Sequence, residues 1–135
     1  SRYLIDTNVV SELRKPRPHG AVLAWIADAD PALLAISAVT VGEIQVGIER
    51  LRTADPVRAS AIEHWLQELA SDFSVLPLDA SIMRRWARLQ TSRPGGDVFD
   101  ALIAATALET GRTVVTRNIR DFEGFAVPLL NPFQS

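Results

Sequence analysis

At 135 residues, 47% of them apolar and 22% charged, the chain has the composition of one folded domain with a core of ordinary size. A formal net charge of −2 carries no global basic signature for nucleic acid, and the lack of cysteine excludes disulfides, thiolate metal sites and a cysteine nucleophile. No apolar run approaches the ~20 residues needed to cross a bilayer, and Ser1 to Asp6 show no secretory pattern, so a single domain over 1–135 in a cytoplasmic setting is expected.

In chain order, Tyr3-Leu4-Ile5 is a short apolar run that stops at polar Asp6-Thr7-Asn8 and reads as a buried strand followed by a helix start. Val9, Val10 and Leu13 form the inner face of a short helix, which Pro16 and Pro18 terminate. Ala21 to Ala29 predicts a second helix, and Leu33 to Ile36 a second strand ended by Ser37. From Thr40 to Leu51 the spacing of Val41, Ile44, Ile48 and Leu51 is helical. Pro56 to Phe73 continues as helix, with Ile62, Trp65, Leu66 and Leu69 on one face. Val75 to Leu78 is a brief strand, after which Asp79 caps a helix holding Ile82, Trp86 and Leu89. Pro94-Gly95-Gly96 breaks the chain, a helix runs over Asp97 to Glu109 with Gly111 as its stop, and Thr113-Val114-Val115 is a strand. Phe125 to Pro132 is a candidate edge strand. Strands alternating with helices predict an α/β fold on a mainly parallel sheet, whose ligand site lies beyond the carboxyl ends of the strands.

Three carboxylates stand out. Asp6, directly after the first strand, is either a helix N-cap or a site residue. Glu43 follows Thr40 by three positions, so Thr40-Val41-Gly42-Glu43 also fits a capping box. Asp100 has no such structural job, because Asp97 is placed to cap the helix. The run Ala101 to Leu108 is otherwise almost wholly small or apolar, and a carboxylate entering it needs partners. A hard divalent cation with oxygen ligands would satisfy it. Asn118 and Asp121, in Thr116-Arg117-Asn118-Ile119-Arg120-Asp121-Phe122, read either as turn and cap residues or as part of the same cluster.

Four segments carry a resemblance: Leu4-Ile5-Asp6-Thr7-Asn8-Val9-Val10-Ser11-Glu12, Ser37-Ala38-Val39-Thr40-Val41-Gly42-Glu43, Asp100 to Ala107, and Val115-Thr116-Arg117-Asn118 with Asp121-Phe122. In this order and spacing the chain resembles the PIN-domain family, and within it the VapC-type toxin ribonucleases of bacterial toxin–antitoxin pairs. The resemblance implies a three-layer α/β/α fold and endonucleolytic hydrolysis of RNA, dependent on Mg²⁺ or Mn²⁺. It maps the family's first three acidic positions onto Asp6, Glu43 and Asp100. The fourth falls on Asp121, with Asn118, Asn8 and Thr116 as polar support. It further implies a homodimer and a cognate VapB-like antitoxin, received on the apolar faces that carry Ile44, Ile48, Leu51, Trp65 and Leu66.

Arg14, Lys15, Arg17, Arg117 and Arg120 flank the acidic segments and are the candidate RNA backbone contacts. Lys15 is the chain's single lysine. That counts against a phosphoryl-accepting receiver domain, which needs a lysine at the end of its last strand. Asn8 stands where a haloacid-dehalogenase-like phosphatase needs a second aspartate. An inactive PIN-like binding module is the remaining alternative. His19, between Pro18 and Gly20, and His64, beside Trp65, read as solvated or packed side chains rather than as bases.

Overall fold

The computed structural model describes residues 1–134. Its short apolar runs pair because a buried strand must satisfy every backbone donor and acceptor through a neighbour. β1 (Tyr3–Ile5), β2 (Leu34–Ser37), β3 (Ser74–Leu76), β4 (Thr113–Val115) and β5 (Leu129–Leu130) form one sheet in the order β3-β2-β1-β4-β5. Every neighbouring pair is parallel. Parallel neighbours require crossovers, supplied by α1 (Thr7–Leu13), α2 (Gly20–Asp28), α3 (Ala38–Arg52), α4 (Pro56–Asp72), α5 (Ala80–Ser92), α6 (Val98–Thr110) and α7 (Ile119–Phe122).

Side-chain alternation along the strands divides the core in two. Leu4 and Val114 point into a cluster with Ala101, Ile103, Ala104 and Phe122 from α6 and α7. Their neighbours Ile5 and Val115 point the other way, against Val9, Val10, Val22, Ile48 and Leu66 from α1 to α4. The expected three layers are therefore present. α6 is buried from Ala101 to Ala107 because it is sandwiched between the sheet and α5. No helix among the described residues is long and apolar enough to cross a membrane.

Most predicted boundaries shift by a residue or two. Asp79 and Asp97 cap α5 and α6 as expected, by accepting backbone N–H groups of their first turns. The α3 expectation fails in an instructive way. The helix begins at Ala38, capped by Ser37, whose hydroxyl accepts the Val39 N–H at 3.0 Å. Thr40 is therefore inside the helix and fully buried, and Thr40–Glu43 is no capping box. The candidate edge strand contracts to Leu129–Leu130, paired with β4.

Gly111 ends α6 with φ +65°, a left-handed conformation that a Cβ disfavours. Gly111→Ala is expected to destabilise the fold by about 1 kcal/mol in urea unfolding. An unchanged midpoint would show that α6 ends without need of the glycine.

Candidate active site

β1 is the point from which the chain builds outward to β2 and β3 on one side and β4 and β5 on the other. Such a reversal leaves a crevice at the carboxyl ends of β1 and β4. Asp6 leaves β1 there, and its N–H donates to Val115 O at 2.9 Å, which keeps it in register with β4.

Asp6 is 4% exposed. Removing a lone carboxylate from water costs several kcal/mol, and each hydrogen bond to its charged form returns roughly 1.5–3 kcal/mol, so burial demands several donors. Three are present. Asp6 Oδ1 accepts the Thr7 N–H at 2.8 Å; Oδ2 accepts the Thr116 hydroxyl at 2.8 Å and Asn8 Nδ2 at 3.0 Å. Asp6 thus caps α1 and also belongs to a wider network. Thr116, itself fully buried, donates to Asp6 and accepts from Asn8 Nδ2 and the Asn118 N–H, which uses its full hydroxyl capacity. Burial still pushes the Asp6 carboxyl above its ordinary value, opposed by the Thr116 and Thr7 hydrogen bonds.

Glu43 comes in from the second turn of α3. Its Oε1 accepts the Thr7 hydroxyl at 2.8 Å, and Thr7 in turn stands 3.0 Å from the buried Thr40 hydroxyl. Because Thr7 spends its proton on Glu43, Thr40 is the donor to Thr7. Two threonines that sequence reasoning left out therefore orient Glu43. The signal available for them was the hydroxyl at each apolar-to-polar junction. Partial burial raises the Glu43 carboxyl, with the Thr7 bond opposing and Asp6 and Asp97 adding to the rise.

Asp100, in the first turn of α6, is pushed up to about 7 by burial and then by the charges of Asp97, Asp6, Asp121 and Glu43. The charges that act on it include three of the expected carboxylates, Asp6, Asp121 and Glu43. Asp97, read from sequence only as a cap, belongs to the same field. Asp121 is exposed on α7 and reaches the cluster through charge; Asn118 precedes α7, and its side chain makes no capping bond. Among the cations, Arg14 lines a groove with Glu43, and Arg17 and Arg120 are exposed. Lys15 is held by Glu12 at 2.9 Å, and Arg117 lies over the Phe133 ring. His64 is exposed and pairs with Glu68 at 3.1 Å, well accounted for by solvent and its own helix.

Among the described residues, no three carboxylates or imidazoles stand close enough to ligate one ion together. A small hard cation here would therefore take at most two of these side chains directly and complete its coordination with water. The donors are also of the right kind: Asp6 keeps one lone pair beyond its three bonds, and no protein donor contributes to the Asp100 shift. A cation here would relieve repulsion that the hydrogen bonds to Asp6 and Glu43 offset only in part.

The Asp100 shift gives a signed prediction for metal-free protein. A carboxyl raised in the folded state stabilises the fold below its unfolded value, near 3.8, and that contribution is lost as pH rises through about 7. Thermal stability should therefore fall between about pH 4 and pH 7, and Asp100→Asn should flatten the slope. A slope untouched by Asp100→Asn would place the titration elsewhere.

Comparison with known proteins places the fold in a family. The family model described as PIN domain matches residues 3–127. The chain is 35% identical over 138 residues to "VapC ribonuclease Y4jK" of Sinorhizobium fredii, covering 97% of both chains. Among solved structures it is similar to FitAcB from Neisseria gonorrhoeae, with TM-score 0.83, 29% identity and coverage of 98% of this chain and 99% of that one. A toxin–antitoxin complex from Klebsiella pneumoniae matches with TM-score 0.75, 26% identity and 98% of both chains covered. A parallel five-stranded sheet with acidic side chains gathered at its carboxyl rim, and a family match running through almost all of it, make this chain a member of the PIN-domain family.

Proposed function

We propose that the protein is a divalent-metal-dependent endoribonuclease, the toxin of a toxin–antitoxin pair, hydrolysing RNA phosphodiester bonds at the cluster of Asp6, Glu43, Asp100 and Asp121. The observation that carries the reading is the placement of Asp6, Glu43 and Asp100 at the carboxyl rim of one parallel sheet, where Thr7 bonds Asp6 through its N–H and Glu43 through its hydroxyl. A relative that is named a ribonuclease across its whole length supports the same chemistry. When bound, Mg²⁺ or Mn²⁺ supplies Lewis-acid charge at the scissile phosphate and eases deprotonation of the attacking water.

This chain's residues do the rest. Asp6, fixed by three donors, and Asp100 are the side chains that would hold the cation. Glu43, aimed by Thr7 and Thr40, and Asp121, exposed on α7, would supply further negative charge beside it. Thr116 and Asn8 keep Asp6 in one rotamer, a positioning role. Among the described residues neither histidine stands in the carboxylate cluster: His64 pairs with Glu68 on an exposed helix face, and His19 packs on Phe133.

A groove of about 410 Å³ runs from Thr7, Ser11, Arg14 and Glu43 to the apolar side chains Ile44, Leu51 and Ile62 on α3 and α4. Ile48 and Leu66, grouped in sequence with this face, are instead core, 1% and 4% exposed. The groove has the character of a site for an amphipathic segment. The structural match to a toxin–antitoxin complex supports an antitoxin occupant, which would inhibit by covering Glu43. A homodimer in the cytoplasm, where RNA and antitoxin meet it, belongs to the same reading.

Antitoxin-free protein with Mg²⁺ is expected to cut cellular RNA into discrete fragments. EDTA should abolish the cutting, and Asp6→Asn or Asp100→Asn should slow it by about 100-fold or more while circular dichroism shows the fold retained. Cleavage that survives EDTA would end the metal reading. No cleavage by folded protein would favour a binding module.

A further inference from the structure

On the β4–β5 side of the rim three flat side chains meet. The Arg117 guanidinium lies over the Phe133 ring, 4.5 Å from its centroid. His19 meets the same ring at 5.2 Å between centroids, with the planes at 62°. Arg117 and His19 are exposed, whereas Phe133 is half-buried against the core beneath α1 and α2.

All three are held in place. The Arg117 N–H donates to Asn8 Oδ1 at 3.2 Å, and Asn8 Nδ2 donates to Asp6, so two hydrogen bonds link the Arg117 backbone to the carboxylate cluster. The His19 N–H donates to Glu12 Oε2 at 3.0 Å, and its Nδ1 accepts the Ala21 N–H at 3.2 Å, which fixes the ring as the cap of α2. Glu12 is nearly buried, and the Lys15 hydrogen bond holds its carboxyl below the usual range. The Phe133 N–H donates to Asn131 Oδ1 at 2.9 Å.

Exposed arginine and histidine side chains normally sample many rotamers, and fixing them on a ligand opposes binding. Here the stack on Phe133 and the Ala21 N–H bond to the His19 ring already restrict them. A guanidinium stacked on an aromatic ring leaves its outer face to solvent, and guanidinium planes and imidazole rings are surfaces on which unpaired bases stack. A chain net charge of −2 makes this patch the more useful to an acidic polymer, since cations near the cluster must be local.

We infer that Arg117, Phe133 and His19 form a nucleobase-stacking subsite for single-stranded RNA, which receives a base flanking the phosphate held at the carboxylate cluster. The inference deepens the ribonuclease reading and rests on it for what happens at that phosphate. Stacking binds any base, so the subsite sets a requirement for an unpaired nucleotide rather than for one sequence.

Binding alone tests it. Full-length Asp100→Asn protein in EDTA is titrated into a labelled single-stranded RNA oligonucleotide, and into copies of it with one abasic position moved along the strand. The parent is expected to lose about tenfold in Kd at one abasic position. Arg117→Lys, which keeps the charge but not the plane, and His19→Asn, which keeps the helix cap but not the ring, should each weaken binding of the intact strand several-fold. Both should also shrink the abasic penalty at that position. Arg117→Ala should in addition lower the salt dependence by about one ion, which Arg117→Lys should not. If no abasic position matters, or if the penalty survives in folded variants, the cluster only packs the chain's tail and the inference falls while the nuclease reading stands. If the parent binds no RNA even with Mg²⁺ in place of EDTA, both fall.

Discussion

Like charges gathered in a half-buried crevice are the constraint around which the rim is arranged. Burial first, and then the charges of Asp97, Asp6, Asp121 and Glu43, raise the Asp100 carboxyl to about 7. Hydrogen bonds to Asp6 and Glu43 offset part of the cost, and they come from threonines and an asparagine, not from cations. Had an arginine been placed beside Asp6, the cluster would be neutralised and of little use to a metal. Neutral donors fix geometry and leave the charge available.

The donors arrive where the parallel sheet delivers them. β1 and β4 are adjacent and in register, so the residues just past their ends, Asp6 and Thr116, meet at 2.8 Å although 110 positions separate them in the chain. Thr7 and Thr40 meet by the same logic across β1 and β2, whose following helices start at the same rim. The buried strands give the rigidity that such distances need. Leu4, Ile5, Val114 and Val115 are all fully buried, with helices packed on both faces. A close-packed interior transmits little slack to the side chains at its edge.

The rim is divided by function as well as by charge. On the α3 side, Glu43 opens into a groove whose floor turns apolar. On the β5 side, Arg117 rests on Phe133. A strand of RNA crossing the carboxylates would meet flat, basic chemistry on one side, and a protein segment would find the apolar groove on the other. On the proposed readings, inhibition by a partner and recognition of substrate would use surfaces on either side of the carboxylates.

Local pattern was enough for much of this. The apolar triplets Tyr3–Ile5 and Thr113–Val115, the caps Asp79 and Asp97 and the stop at Gly111 are set by residues within a few positions of one another, so the sequence determined them directly. The α/β alternation and the oddity of an acid at Asp100 inside a small, apolar helix were legible for the same reason. The role of Thr40 was not. Spacing alone makes Thr40–Glu43 a capping box, and only the packed position of Ser37 at the end of β2 shows that the helix starts earlier and that Thr40 turns inward to Thr7. Likewise nothing near Arg117 in the chain announces Phe133 or His19. Those contacts join segments that become neighbours only when β5 pairs with β4 and α1 folds back over the sheet. Local structure follows from short-range sterics and hydrogen bonding, which a sequence carries in its spacing. The orientation of Glu43 and the seating of Arg117 depend on long-range contacts, and only the tertiary structure decided them.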